Sequence, residues 1–384
     1  MSDTAQPDAG PVSGPISGPI TGLRLPHRHF NALDLSRLLA AVAVLFWHYQ
    51  HFFVAPGWVD FHLDRAREPL YPRLSFLYDH GADAVQYFWA VSGFVFAHVY
   101  LADRGAQGRF WLARVARLWP LHLLTLGLVA AMQAAVLEHW GDYYIYDWND
   151  ARHFVLSLFL AHYWGFQANQ SFNGPSWSLS TEIVAYAAFW LLLPALRRAG
   201  LLLSLAVTGA MAWMLWHRVP DKDVLTCVFY FFAGVAFYAA MLRGLLASRA
   251  LIPLALVLFA VAFAVNMAGG PVFFIRLAAI FALLALAVGI DHLDPAGRLR
   301  FGKTLGDASY GIYLWHFPIQ LALTLMLPNI RAMAHQPSFL VFFIGSACLA
   351  GLASHRWIER PAQRWVMRQG GRFSRTTSQV ASAG

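Results

Sequence analysis

Charge is what this sequence has least of. Asp, Glu, Lys and Arg make up 12% of 384 residues, against about 25% in an ordinary soluble domain. Hydrophobic residues make up 58%, above the roughly 45–50% of soluble chains, and the mean hydropathy is +0.49. So little charge beside so much apolar surface excludes an intrinsically disordered chain and argues against a soluble globular enzyme. Cysteine is nearly absent. Cys227 and Cys348 both sit in apolar runs, which excludes a disulfide scaffold and a Cys-based metal site. Residues 1–23 are not expected to be a secretory leader. They are rich in Gly, Pro and Ser, with SGPI at 13–16 repeated at 17–20, and they lack a basic start followed by an apolar run. The class that remains is an all-α, polytopic integral membrane bundle.

A spanning helix needs about 20 predominantly apolar residues. Ten stretches fit: 34–54, 83–101, 118–137, 177–196, 200–216, 224–241, 250–267, 272–290, 308–327 and 339–355. A further apolar run, 153–165, has a length that suits a re-entrant or interfacial segment better than a span. The excess of Lys and Arg in cytoplasmic loops sets the orientation. With the N-terminus cytoplasmic and 153–165 non-spanning, nineteen of the 28 Lys and Arg residues fall in cytoplasmic segments and seven outside. Letting 153–165 cross would carry Arg197 and Arg198 outside and invert every later loop. About ten crossings with both termini cytoplasmic are therefore expected, as a membrane domain over 30–365 between disordered tails at 1–29 and 366–384. The net charge of +8 is assigned to topology and to anionic lipid or ligand, and no nucleic-acid partner is expected.

Polar groups inside such spans are expensive and mark functional sites by default. Eleven positions separate Arg37 from His48 in the first span. At 100° and 1.5 Å per residue they share a face, about 20° and ~16 Å apart. Arg37 sits at the cytoplasmic end and His48 past the midplane. An imidazole titrates near neutrality and suits proton transfer; a core histidine bonded to a neighbouring helix is the plainer alternative. His51 follows at i+3, but no third ligand accompanies the pair, and no metal is expected. Arg114 and Arg117 present planar forks suited to phosphate, while also serving topology. Glu182 is the one carboxylate of 177–196 and needs a partner or a polar cavity; Ser178 precedes it by one turn. Tyr313 and His316 lie near the middle of the ninth span. Ser92-Gly93-Phe94 falls near mid-membrane, where glycine allows close helix packing or close approach of a ligand.

In order, these segments resemble the membrane acyltransferase-3 family over about 30–365. The resemblance is carried by Leu33-Asp34-Leu35-Ser36-Arg37, with His48 after ten intervening residues, and by Phe88-Trp89-Ala90-Val91-Ser92-Gly93-Phe94. Arg114-Val115-Ala116-Arg117 with Pro120 follows, then Pro175-Ser176-Trp177-Ser178-Leu179-Ser180-Thr181-Glu182, Ser309 to Pro318, and Ile358-Glu359-Arg360-Pro361. Ser36 stands where the family often has glycine. The chain resembles the stand-alone form, without a C-terminal SGNH hydrolase-like domain.

The resemblance implies transfer of an acyl group, commonly acetyl, from cytoplasmic acyl-CoA. The implied acceptor is a hydroxyl of an outward-facing carbohydrate or lipid-linked sugar, at a bacterial inner membrane and with no bound cofactor. It places the family's Arg–x10–His motif on Arg37 and His48, its Arg–x–x–Arg motif on Arg114 and Arg117, and its Ser-Gly-Phe on Ser92, Gly93 and Phe94. His48, Arg37 and Glu182 are then the catalytic candidates. Arg114 and Arg117 would hold the CoA phosphates, and Ser92, Gly93, Phe94, Ser178, Tyr313 and His316 would contact substrate. Whether His48 is a general base or carries the acyl group covalently stays open. The alternative is a transporter for a lipid-linked sugar or a small anion, although no repeated halves of the transporter kind are seen.

Overall fold

The computed structural model describes residues 29–54, 65–101, 105–220 and 222–381, and among them the chain is helical without a strand. Most of the expected N-terminal tail lies outside the described residues. The first helix, α1 (Asn31–His48), is followed by a short 3₁₀ turn to Phe53. Next come α2 (Tyr71–His80), α3 (Ala84–Tyr100), α4 (Phe110–Trp140) and the short α5 (Ala151–Leu158). The chain continues through α6 (Trp177–Trp216), α7 (Lys222–Leu242), α8 (Leu251–Met267) and α9 (Val272–Leu293). It ends with α10 (Phe301–Met326), α11 (Ile330–Ala334), α12 (Pro337–Ser354) and α13 (Arg360–Ala381), with a π-helical turn at His355–Glu359 joining the last two.

Among the described residues, seven helical stretches are long and apolar enough to cross a membrane. They include Gly174–Trp216, whose 43 residues would measure about 65 Å if straight, twice a hydrocarbon core of about 30 Å. The helix is not straight. Ala199 leaves helical geometry at φ −131°, ψ 37°, and the two ends of α6 come together. Tyr163 packs on Trp177 at its start, with ring centroids 5.4 Å apart, and lines a cleft with Leu215 and Arg218 at its finish. The chain therefore doubles back at Ala199, beside Arg197, whose guanidinium donates to Tyr100 O at 3.0 Å and to Gln107 Oε1 at 2.8 Å. The 153–165 run forms no helix long enough to cross a membrane. It is the eight-residue α5, about 12 Å long, followed by irregular chain that Ser180 ties down by accepting from Tyr163 N and Trp164 Nε1 at 3.0 and 2.7 Å.

Two seams position the site. No residue at the start of α1 caps it with a side chain; Asp291 of α9 does so instead, accepting from the amides of Ala32 and Leu33 at 2.9 and 3.1 Å. This satisfies two of the orphan donors every helix start carries. α3 and α7 pack backbone to backbone. A Cβ on Gly93 would lie 1.8 Å from Phe231 O, and one on Gly234 would lie 2.0 Å from Ala90 O. Small residues permit such approaches where lipid offers no competing hydrophobic force.

Near the far end of the chain, α13 runs on past residue 365, and a Cβ at Gly370 would strike the Leu112 side chain of α4.

Outside the spans, Glu68 is only 4% exposed, and neither carboxylate oxygen meets a hydrogen-bond donor among the described residues. Arg65 stands 3.6 Å from it, held over the Trp47 ring and donating to Tyr78 O. Burial outweighs that cation and pushes the Glu68 carboxyl up to about 8. The folded state thus keeps a proton that the unfolded chain releases near 4.5. The stability it contributes is complete below about 4.5 and is lost as pH rises through about 8. Thermal melts in detergent from about pH 5 to about pH 8 should show Tm falling, and Glu68→Gln should flatten that fall; an unchanged slope would refute the assignment.

Candidate active site

α1, α3, α4, α6 and α10 enclose a cavity of about 250 Å³. Of the eleven candidates named from sequence, seven line it: Arg37, Ser92, Arg114, Arg117, Ser178, Glu182 and Tyr313. Its two ends differ in chemistry. At one end are the three arginines. Arg37 is paired with Asp34 at 3.2 Å, and Asp34 also meets His29 at 2.5 Å. Arg114 lies over the Phe96 ring at 4.8 Å and near Tyr186 at 6.0 Å, an arrangement that holds a guanidinium by cation–π attraction and leaves its donors for a ligand. Arg114 Nε has no partner among the described residues. Glu182 sits in the wall between the ends. The Ser92 and Tyr186 hydroxyls stand beside it, and Arg114 and Arg37 lie within electrostatic reach. A buried carboxylate needs such partners.

The other end is apolar apart from one hydroxyl pair. Val85, Phe88 and Trp89 of α3 face Leu179 and Tyr313 there. The Tyr313 hydroxyl donates to Pro175 O at 2.7 Å and pairs with Ser178 Oγ at 2.8 Å. Between Phe96 at the arginine end and Val85 at this end, α3 rises eleven residues, or about 16 Å.

His48 and His316 do not line the cavity; they lie together beyond Tyr313. The Tyr313 and His316 rings are 5.8 Å apart, those of His316 and His48 4.8 Å, and those of His48 and His51 5.1 Å. His48 Nδ1 donates to Val44 O at 3.0 Å, and His316 Nδ1 donates to Tyr313 O at 2.5 Å. A carbonyl can only accept, so each neutral ring keeps Nε2 as its bare, proton-accepting nitrogen. His316 Nε2 is buried without a partner among the described residues. Gln320 donates to His48 O at 2.7 Å and pins the end of α1 to α10. Among the described residues, no group of three His, Cys, Asp or Glu side chains is arranged to hold a metal ion.

Gly93 and Phe94 are the two candidates that the structure turns away from the cavity. Gly93 meets the Phe231 backbone, and Phe94 packs edge-on against Phe30 and Tyr238. Eleven further lining residues were not among the candidates from sequence, and Tyr186, Tyr310 and Phe96 are the three beside the polar groups. Tyr186, beside Glu182, stands four residues after it, a helical spacing that could have flagged it. Tyr310, whose hydroxyl donates to Leu118 O at 2.6 Å, lay unremarked inside a quoted motif. Phe96, beneath Arg114, carries no signal that separates it from the other apolar residues of α3.

Residues 30–355 match the acyltransferase domain of the acyltransferase-3 family. The chain belongs to that family. It is accordingly an acyltransferase that transfers groups other than aminoacyl groups, and an integral, multi-pass membrane protein. Among its relatives is the exopolysaccharide production protein ExoZ of Rhizobium meliloti (strain 1021), 27% identical over 326 residues, covering 78% of this chain and 94% of that protein. Acyltransferase MdmB of Streptomyces mycarofaciens is 25% identical over 333 residues, covering 75% and 82%. Protein 2 in the picA locus of Rhizobium radiobacter is 34% identical over 110 residues, covering 28% and 47%. No solved structure matches this acyltransferase-3 chain.

Proposed function

We propose that the protein moves an acyl group, acetyl foremost, from cytoplasmic acyl-CoA to a hydroxyl of an outward-facing carbohydrate or glycolipid at a bacterial cytoplasmic membrane. The observation that carries this reading is one cavity with three arginines at one end and the His316–His48 pair just past the other. Acyl-CoA is a polyanion joined by a flexible arm to a thioester. Guanidinium forks suit its phosphates. The length of the cavity suits the arm, with Glu182 and Ser92 offering acceptors to its amides. On this reading α3 and α10 also cross the membrane and α6 crosses twice, giving ten crossings with the arginine end cytoplasmic. A carbohydrate acceptor is supported by likeness to a protein named for exopolysaccharide production.

His48 acts as the base. Its Nε2 takes the hydroxyl proton as the alkoxide oxygen attacks the thioester carbonyl. The C–S bond breaks, the ester forms, and the imidazolium returns the proton to the departing thiolate. If His48 instead carries the acyl group, its Nε2 attacks the thioester carbonyl and expels the thiolate; the hydroxyl then attacks the acyl-imidazolium, the neutral imidazole leaves, and the hydroxyl proton passes to the thiolate.

Labelled acetyl-CoA offered to inverted membrane vesicles, with a native membrane fraction as acceptor, tests the reading. Label is expected in a carbohydrate fraction. No turnover by correctly inserted protein would favour the transporter. Arg114→Gln is expected to raise the KM for acyl-CoA at least about tenfold, since a hydrogen bond to a charged group is worth roughly 1.5–3 kcal/mol. An unchanged KM would leave Arg114 a topological residue only.

A further inference from the structure

We infer that Trp89, with Phe88 and Val85 beside it on α3, sets the length of acyl chain the enzyme accepts and restricts it to short chains. This rests on the acyl-CoA reading above. With the phosphates at the arginines, the thioester and acyl group fall at the opposite, apolar end of the cavity. Three residues of α3 at positions i, i+3 and i+4 form its wall there, the spacing that puts side chains on one helical face.

That wall is stiff. Trp89 is only 2% exposed. Its indole stands edge-on to Trp177 at 5.6 Å, and its Nε1 donates to Ser178 O at 3.4 Å. Phe88 meets the Tyr313 ring at 6.2 Å, and Tyr313 is itself tied to Pro175 and Ser178. Neither Trp89 nor Phe88 can swing away without breaking a contact to α6 or α10. The whole cavity measures about 250 Å³, and most of it must take the arm of the coenzyme. A chain that grows by several methylenes therefore runs into the indole, and forcing extra methylenes into a packed wall is unfavourable. Cutting back the wall should relieve that collision selectively, because a transferred acetyl group never reaches it.

The test compares acetyl-CoA with octanoyl-CoA as donors in membrane vesicles, for the wild-type protein, Trp89→Ala and Phe88→Ala. The half-buried Phe88 supplies a second variant with less demand on folding. The wild type is expected to prefer acetyl-CoA, and each variant to raise the octanoyl-to-acetyl ratio of kcat/KM at least about tenfold, within the range pocket methylenes command. Val85→Phe should sharpen the preference for acetyl. A wild type that uses octanoyl-CoA as readily as acetyl-CoA, or folded variants that both keep the wild-type ratio, would overturn the inference while leaving the acyl-CoA reading intact. A wild type that consumes neither donor would overturn that reading and this inference with it.

Discussion

His48→Ala is expected to lower acyl transfer by about two to four orders of magnitude, the usual contribution of a positioned acid–base group. The KM for acyl-CoA should barely change. His48 lies past Tyr313, outside the cavity that would hold the coenzyme, and its ring meets His316 and His51 rather than the arginines. The variant should insert normally: it loses the ring contact with His316, but alanine keeps the His48 backbone carbonyl that accepts from Gln320 of α10. Steady-state kinetics in vesicles, with the amount of inserted protein measured alongside, read both numbers. Normal turnover in this variant would end the proposed chemistry. A large rise in KM with kcat intact would instead place His48 in donor binding.

The second large effect is on folding. Gly93→Ala is expected to destabilise the protein by roughly 1–3 kcal/mol, the range for overpacking a tight contact, and Gly93→Leu to remove the folded species altogether. The cause is the α3–α7 seam, where a Cβ at Gly93 would sit 1.8 Å from a backbone oxygen that no rotamer change can move. Thermal melts and size-exclusion profiles in detergent measure it. Gly93→Ala melting like wild type but losing affinity for acyl-CoA would return this glycine to the substrate site, where the family resemblance first put it.

These two residues mark where sequence reasoning reaches and where it stops. Arg37 and His48 share a face of one helix, and their relation follows from 1.5 Å and 100° per residue. The structure keeps it, with Arg37 on the cavity at one end and His48 beyond the other. Glu182 announced itself because a carboxylate in an apolar span must find partners, although the partners found, Ser92 and Tyr186, were not predicted. The break between 196 and 200 was legible from Arg197 and Arg198 and from the length of the apolar run, and the chain does turn back at Ala199.

Composition and the lengths of the apolar runs by themselves determined the class, the long apolar helices and the motif positions, because water and lipid sort residues one segment at a time. Only the tertiary structure decided that Gly93 faces α7, that Phe96 lies under Arg114, that Tyr313 stands between the cavity and the histidines, and that 366–370 continue a helix against α4. Each of these depends on the rotation and register of one helix against another. In an apolar surrounding that choice is made by close van der Waals fit and by individual hydrogen bonds, which hydropathy does not encode.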